Sequence, residues 1–151
     1  MSHATITGGR LEFRTVRGMR FIDDSYNANP DSMRAALETL ANAPCSGRRI
    51  AVLGRMAELG EHARSEHEAI GAAAHQSGAV DALLTVGADA AHMVEGYRAA
   101  GGAESSSHNF ETHAACARKL FELAGPDDLV LIKGSRSSAM ENVMKSEEVP
   151  A

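Results

Sequence analysis

Residues 23–33 read Asp-Asp-Ser-Tyr-Asn-Ala-Asn-Pro-Asp-Ser-Met, and these side chains could do more chemistry than any others in the chain. Asp23 and Asp24 could hold the hydroxyls of a ribose, or a magnesium ion. Tyr26 could stack on a flat ring, with the amides of Asn27 and Asn29 close by. Burying so many polar groups is costly unless they meet a partner, so a polar ligand is the natural explanation. A second polar segment, Gly54-Arg55-Met56-Ala57-Glu58-Leu59-Gly60-Glu61, offers Glu58 to an ammonium group, and His67 beyond it could touch a ligand. The third, Lys133-Gly134-Ser135-Arg136-Ser137, sets two cations and two hydroxyls beside the start of an expected helix. A carboxylate or phosphate there would gain backbone N–H groups and the helix dipole. Each segment also has a plainer reading. One acid caps a turn while the other faces water, Tyr26 covers the core, Glu58 is simply exposed, and Ser137 caps the helix.

Three segments so far apart in the chain need a scaffold that brings them together. Met19, Phe21 and Ile22 form a short apolar run that delivers the two acids, and with residues 11–16 they predict a hairpin about Gly18. Residues 31–43 are amphipathic, with Met33, Ala36, Leu37, Leu40 and Ala41 on one face. Pro30 is expected to block an earlier start, leaving Asp31 or Ser32 to cap the first turn. Strands are expected over 49–54, 82–86, 108–110 and 128–133, and helices over 63–76, 90–100 and 111–124. Met140, Val143 and Met144 mark a final helix. Strands separated by helices imply a parallel sheet with right-handed crossovers. The expected fold is therefore α/β, a three-layer doubly wound domain. Its mostly parallel sheet has about six strands, one of them an antiparallel edge strand. In such a sheet the loops after the strands share one rim, where ligands bind.

Composition narrows the function. The 151 residues suit one domain and can remove roughly 70% of the unfolded surface from water. With 4% aromatic residues and no Trp, the core must be aliphatic, which suits helices on a sheet. The net charge of −5 and the absence of a basic tract argue against nucleic acid or an anionic membrane surface. No apolar run approaches the roughly 20 residues that span a bilayer, and residues 1–10 do not read as a secretory signal. Cys45 and Cys116 lack metal-ligand spacing and read as reduced thiols of a cytosolic protein. Seven histidines include no His-Glu-x-x-His, and His62 and His67 are five apart, so no metal site is expected. The chain also lacks a Gly-x-x-x-x-Gly-Lys-Ser/Thr phosphate loop, a Gly-x-Gly-x-x-Gly turn and a Gly-x-Ser-x-Gly elbow. It reads as part of a site.

The segment 23–33, Met-Ala-Glu-Leu-Gly at 56–60 and Lys-Gly-Ser-Arg-Ser-x-x-Met-Glu at 133–141 occur in this order. Together they resemble the C-terminal domain of the Mur ligases, of the type that adds D-alanyl-D-alanine to UDP-N-acetylmuramoyl-tripeptide. Gly9-Arg10-Leu11 is similar to that family's entry into the domain. The resemblance implies residues 1–8 as a linker or cloning remnant, 9–147 as the domain and 148–151 as a tail. It further implies a role in cytoplasmic peptidoglycan precursor synthesis. Complete members use ATP and magnesium to activate the peptide carboxylate as an acyl phosphate, which the amine of D-alanyl-D-alanine attacks to form the amide. An N-terminal domain binds the UDP-sugar and a central domain carries the phosphate loop. The C-terminal domain closes over the nucleotide and supplies much of the amino-substrate pocket, and is inactive alone with no catalytic residue of its own. On this likeness Arg10 approaches ATP phosphate in the closed form, and Asp24 is the ribose-binding acid. Tyr26, Asn27 and Asn29 fall in the segment lining the adenosine and incoming-dipeptide side. Lys133, Ser135 and Arg136 lie near the dipeptide and the closing phosphate, the side to which Glu58 and His67 are also assigned. One departure is Arg55, where the family commonly has an acid. The competing expectation is a phosphoacceptor receiver domain using Asp23, Asp24 and Lys133, although no acceptor aspartate ends a middle strand. An interaction module without a ligand is the third.

Overall fold

The computed structural model describes residues 12–16, 18–24 and 28–134, together with Met140 and Val143. Strand β1 (Glu12–Val16) turns back at Gly18, whose φ of 83° suits a residue without Cβ, into β2 (Met19–Asp24). The two pair antiparallel, Val16 opposite Met19. The chain continues through α1 (Pro30–Asn42), β3 (Arg49–Leu53), α2 (Ala63–Gln76), β4 (Ala82–Val86), α3 (Ala91–Ala99), β5 (Ser107–Phe110), α4 (His113–Leu123) and β6 (Leu129–Lys133). The strands form a single six-stranded sheet in the order β1-β2-β6-β3-β4-β5. Every pairing except β1 with β2 is parallel.

Side chains alternate across the sheet, and both faces are covered. Ile22, Ala51, Leu53, Leu83, Leu129 and Leu131 pack under α1, α2 and α3. Phe21, Ile50, Val52, Leu84, Val130 and Ile132 pack on the opposite face against Cys116, Ala117 and Leu120 of α4, and against Met140 and Val143. Burial on two sides explains why β3, β4 and β6 read as nearly continuous apolar runs. The three-layer, doubly wound architecture expected from the sequence is the one found, including its antiparallel edge strand. Of the expected final helix, Val143 is helical, and Met144 lies outside the described residues.

Two local expectations are corrected. Pro30 does not precede α1 but forms its first residue, because a missing N–H costs nothing in the first turn. The cap is therefore Asn29 rather than Asp31 or Ser32. Its side-chain oxygen accepts from the Ser32 N–H at 2.8 Å, and its own N–H donates to Ser32 Oγ at 3.0 Å, a reciprocal capping box.

Helices α2 and α3 meet unusually closely. A Cβ on Gly71 would lie 1.8 Å from the Met93 carbonyl oxygen, and one on Gly96 would lie 1.9 Å from that of Glu68. Each glycine faces the backbone of the other helix, so the two helices pack backbone against backbone.

Candidate functional site

Ligand crevices in doubly wound sheets form where neighbouring strands send their helices to opposite faces. Here α1 and α2, which follow β2 and β3, lie on one face. Met140 and Val143, which follow β6, lie on the other. Since β6 sits between β2 and β3, the crevice falls at the carboxyl ends of these three strands. Asp24, Lys133 and Leu53 occupy those ends in register.

At this point lies a largely buried ion pair. Lys133 Nζ is 3.1 Å from Asp24 Oδ2, with side-chain exposures of 2% and 16%, and it also donates to the Asp24 carbonyl at 3.4 Å. The pair is a direct cross-strand neighbour contact, which residue spacing alone does not reveal. An ammonium buried against Asp24 orients that carboxylate.

Asp23 and Asp24 do not work together. As consecutive strand residues they point to opposite faces, and Asp23 is buried at 7% exposure. Strand geometry thus gives the two acids no common face.

The second segment joins the same rim. The Gly54 N–H donates to the Lys133 carbonyl at 2.7 Å, so loop 54–60 leaves β3 directly beside the ion pair. Arg55 Nε meets Asp89 Oδ2 at 3.1 Å. The positive charge at position 55 is thus matched by an acid from the β4–α3 loop. Glu58 is exposed and has a φ of 63°, a left-handed conformation that costs a residue with a side chain about 1 kcal/mol or more.

His67 stands apart from its expected role. It is fully buried; its Nε2 accepts from the Met56 N–H at 2.9 Å, and its Nδ1 lies 2.6 Å from the Ala63 carbonyl. Both ring nitrogens are used within the fold, so a direct ligand contact by His67 is corrected to an internal one. Burial holds its pKa below the usual 6.5, opposed by the Ala63 hydrogen bond and the Asp89 charge. Asn29 is likewise committed, through its side-chain oxygen, to the α1 cap. Arg10, Tyr26, Asn27, Ser135 and Arg136 lie outside the described residues.

Asp89 is the rim residue that sequence reasoning passed over. The signal was available: it stands three residues after the end of β4, in a loop that shares the rim by the same rule as the others. Elsewhere, burial pushes the Cys116 thiol up to about 12, making it a core residue rather than a nucleophile. Among the described residues, Glu68, His92 and Glu95 form a group with metal-ligating atoms within 4.8 Å. Arg64 already ion-pairs with both carboxylates.

The Mur ligase, glutamate ligase domain family matches residues 9–136, and the chain belongs to it. Within that class two curated relatives share one name. The chain is 34% identical over 143 residues to the UDP-N-acetylmuramoyl-tripeptide–D-alanyl-D-alanine ligase of Escherichia coli (strain K12), covering 93% of this chain and 29% of that protein. It is 41% identical over 136 residues to the enzyme of the same name from Mycobacterium leprae (strain TN), covering 80% of this chain and 26% of the relative. The chain thus spans under a third of their length. The crystal structure of MurF ligase from Thermotoga maritima in complex with ADP superposes with a TM-score of 0.78 at 27% identity, over 97% of this chain and 32% of that one. A crystal structure of MurF from Acinetobacter baumannii gives 0.78 at 33% identity, over 94% and 30%. A bifunctional folylpolyglutamate synthase/dihydrofolate synthase, at 21% identity and a TM-score of 0.65, shares the fold. The receiver-domain alternative is not supported: β3 and β4 end at Leu53 and Val86, each followed by glycine.

Proposed function

We propose that this chain is the C-terminal domain of a cytoplasmic ATP-dependent ligase that adds D-alanyl-D-alanine to UDP-N-acetylmuramoyl-tripeptide. Within 9–147 it contributes to nucleotide and dipeptide binding and is inactive alone. The observation that carries this reading is the Asp24–Lys133 pair at the switch point, in a family whose relatives bear that enzyme's name. The residues suit a nucleoside better than its phosphates. A carboxylate has about four acceptor sites, so Asp24 can accept from ribose hydroxyls while Lys133 holds Oδ2. Among the described residues no phosphate loop exists, so nucleotide phosphates and Mg²⁺ are left mainly to a central domain. ATP, when bound, supplies the phosphoryl group that activates the peptide carboxyl.

This chain's own groups then bind and orient. Tyr26 and Asn27 line the adenosine side, and Asn29 caps the start of α1. Glu58, on an exposed turn, meets the ammonium group of the incoming dipeptide. Ser135, Arg136 and Arg10 serve the phosphate side, where charge-assisted hydrogen bonds are strong. Closure over the nucleotide excludes water.

ADP release that depends on D-alanyl-D-alanine, measured on the complete ligase, tests the reading. The isolated chain should give no turnover, and robust turnover would overturn the proposal. Asp24→Asn keeps the shape but removes the charge. Losing one charge-assisted hydrogen bond should raise KM for ATP roughly tenfold or more. An unchanged KM would remove Asp24 from the nucleotide site.

A further inference from the structure

Three consecutive residues of loop 54–60 are each fastened to a different element. Gly54 donates its N–H to the Lys133 carbonyl of β6. Arg55 pairs with Asp89 of the β4–α3 loop. Met56 donates its N–H to His67 of α2 at 2.9 Å, and its side chain is buried. Beyond these anchors the chain turns through Glu58 at positive φ and exposes its side chain.

We propose that His67 and Asp89 are positioning residues that hold loop 54–60 rigid, so that its turn at Glu58 is presented in one geometry to the amino-substrate side of the crevice. This rests on the ligase reading above. The chemistry of His67 is specific. The Met56 N–H can only donate, so Nε2 must be unprotonated, and the Ala63 carbonyl can only accept, so Nδ1 carries the proton. A leucine would fill the same apolar space without a desolvation cost; what the imidazole adds is an acceptor for one loop amide. The close packing at Gly71 and Gly96 joins α2 to α3. His67 and the Asp89 loop, which leads into α3, therefore belong to one body. The loop is braced against that body on one side and against β6 on the other. Site loops held by locked supporting groups lose little freedom on binding.

Three variants separate positioning from packing. His67→Gln keeps an acceptor at similar reach; His67→Asn is too short to meet Met56 but can still donate to Ala63. Asp89→Asn weakens a half-exposed pair and removes a charge near His67, and at that exposure it should fold as the wild type does. Amide hydrogen exchange on this chain should show Met56 exchanging about tenfold faster, relative to core amides such as Leu84, in His67→Asn but not in His67→Gln. In the complete ligase, His67→Asn and Asp89→Asn should raise KM for D-alanyl-D-alanine about tenfold with little loss of kcat. His67→Gln should restore most of it. Equal behaviour of the Asn and Gln variants, or wild-type KM in Asp89→Asn, overturns the proposal. If the wild-type ligase shows no dipeptide-dependent ADP release, the ligase reading fails. The Met56 exchange measurement then still decides whether His67 anchors the loop.

Discussion

His67 and Lys133 show how a single residue can be chemically informative through its partners inside the fold. Each is an ionisable side chain sealed inside the fold with a polar partner, and each organises a neighbour that lies closer to the crevice. For His67 this makes stability depend on pH. Its native pKa is lowered from 6.5 by burial, the surrounding charges being Asp89, His92 and Arg55. A native state that resists protonation binds fewer protons than the unfolded chain. The contribution of His67 is therefore complete above about pH 6.5, and it is lost as pH falls from there towards the lower native value. Urea midpoints at pH 7.5 and 5.5 should converge for His67→Gln relative to the wild type. An identical pH dependence in both proteins would contradict the buried neutral ring.

At the scale of elements, the closeness of α2 and α3 is the feature most sensitive to substitution. Alanine at Gly71 or Gly96 would place a methyl group within 2 Å of a backbone oxygen, and no rotamer change relieves a backbone clash. Each substitution should cost about 3 kcal/mol, read as a fall in the urea midpoint, although alanine is the better helix former. A neutral Gly96→Ala would mean the helices are farther apart than described. The boundaries of α2 and β4 were legible in the sequence, since Ile70, Ala73 and Ala74 at helical spacing and a largely apolar five-residue run leave little choice. The cap of α1 was not. Asp31, Ser32 and Asn29 are all good capping types, and only the helical placement of Pro30 decides among them.

For the whole molecule, the switch point concentrates function and stability in the same place. Lys133 ends the strand shared by β2 and β3, so Lys133→Ala removes the partner of Asp24 beside the central strands. Breaking a buried pair from one side should cost about 3–5 kcal/mol, seen as a lower denaturation midpoint. A double-mutant cycle with Asp24→Ala should give a smaller combined loss than the sum of the single ones. Strict additivity would show that the two side chains do not interact. Among the described residues no helix is long and apolar enough to cross a membrane.

The amino-acid order by itself determined the elements, their alternation and the three polar segments, because periodicity and turn chemistry act over a few neighbours. It also carried the family likeness, since motifs are local strings. What only the tertiary structure decided was which polar groups meet. Asp24 finds Lys133 across 109 positions, Arg55 finds Asp89 across 34, and His67 finds Met56 across 11. Asp23 and Asp24, adjacent in the chain, are sent to opposite faces by the pleat. Contacts of that range depend on strand register and helix packing, which the whole core sets together.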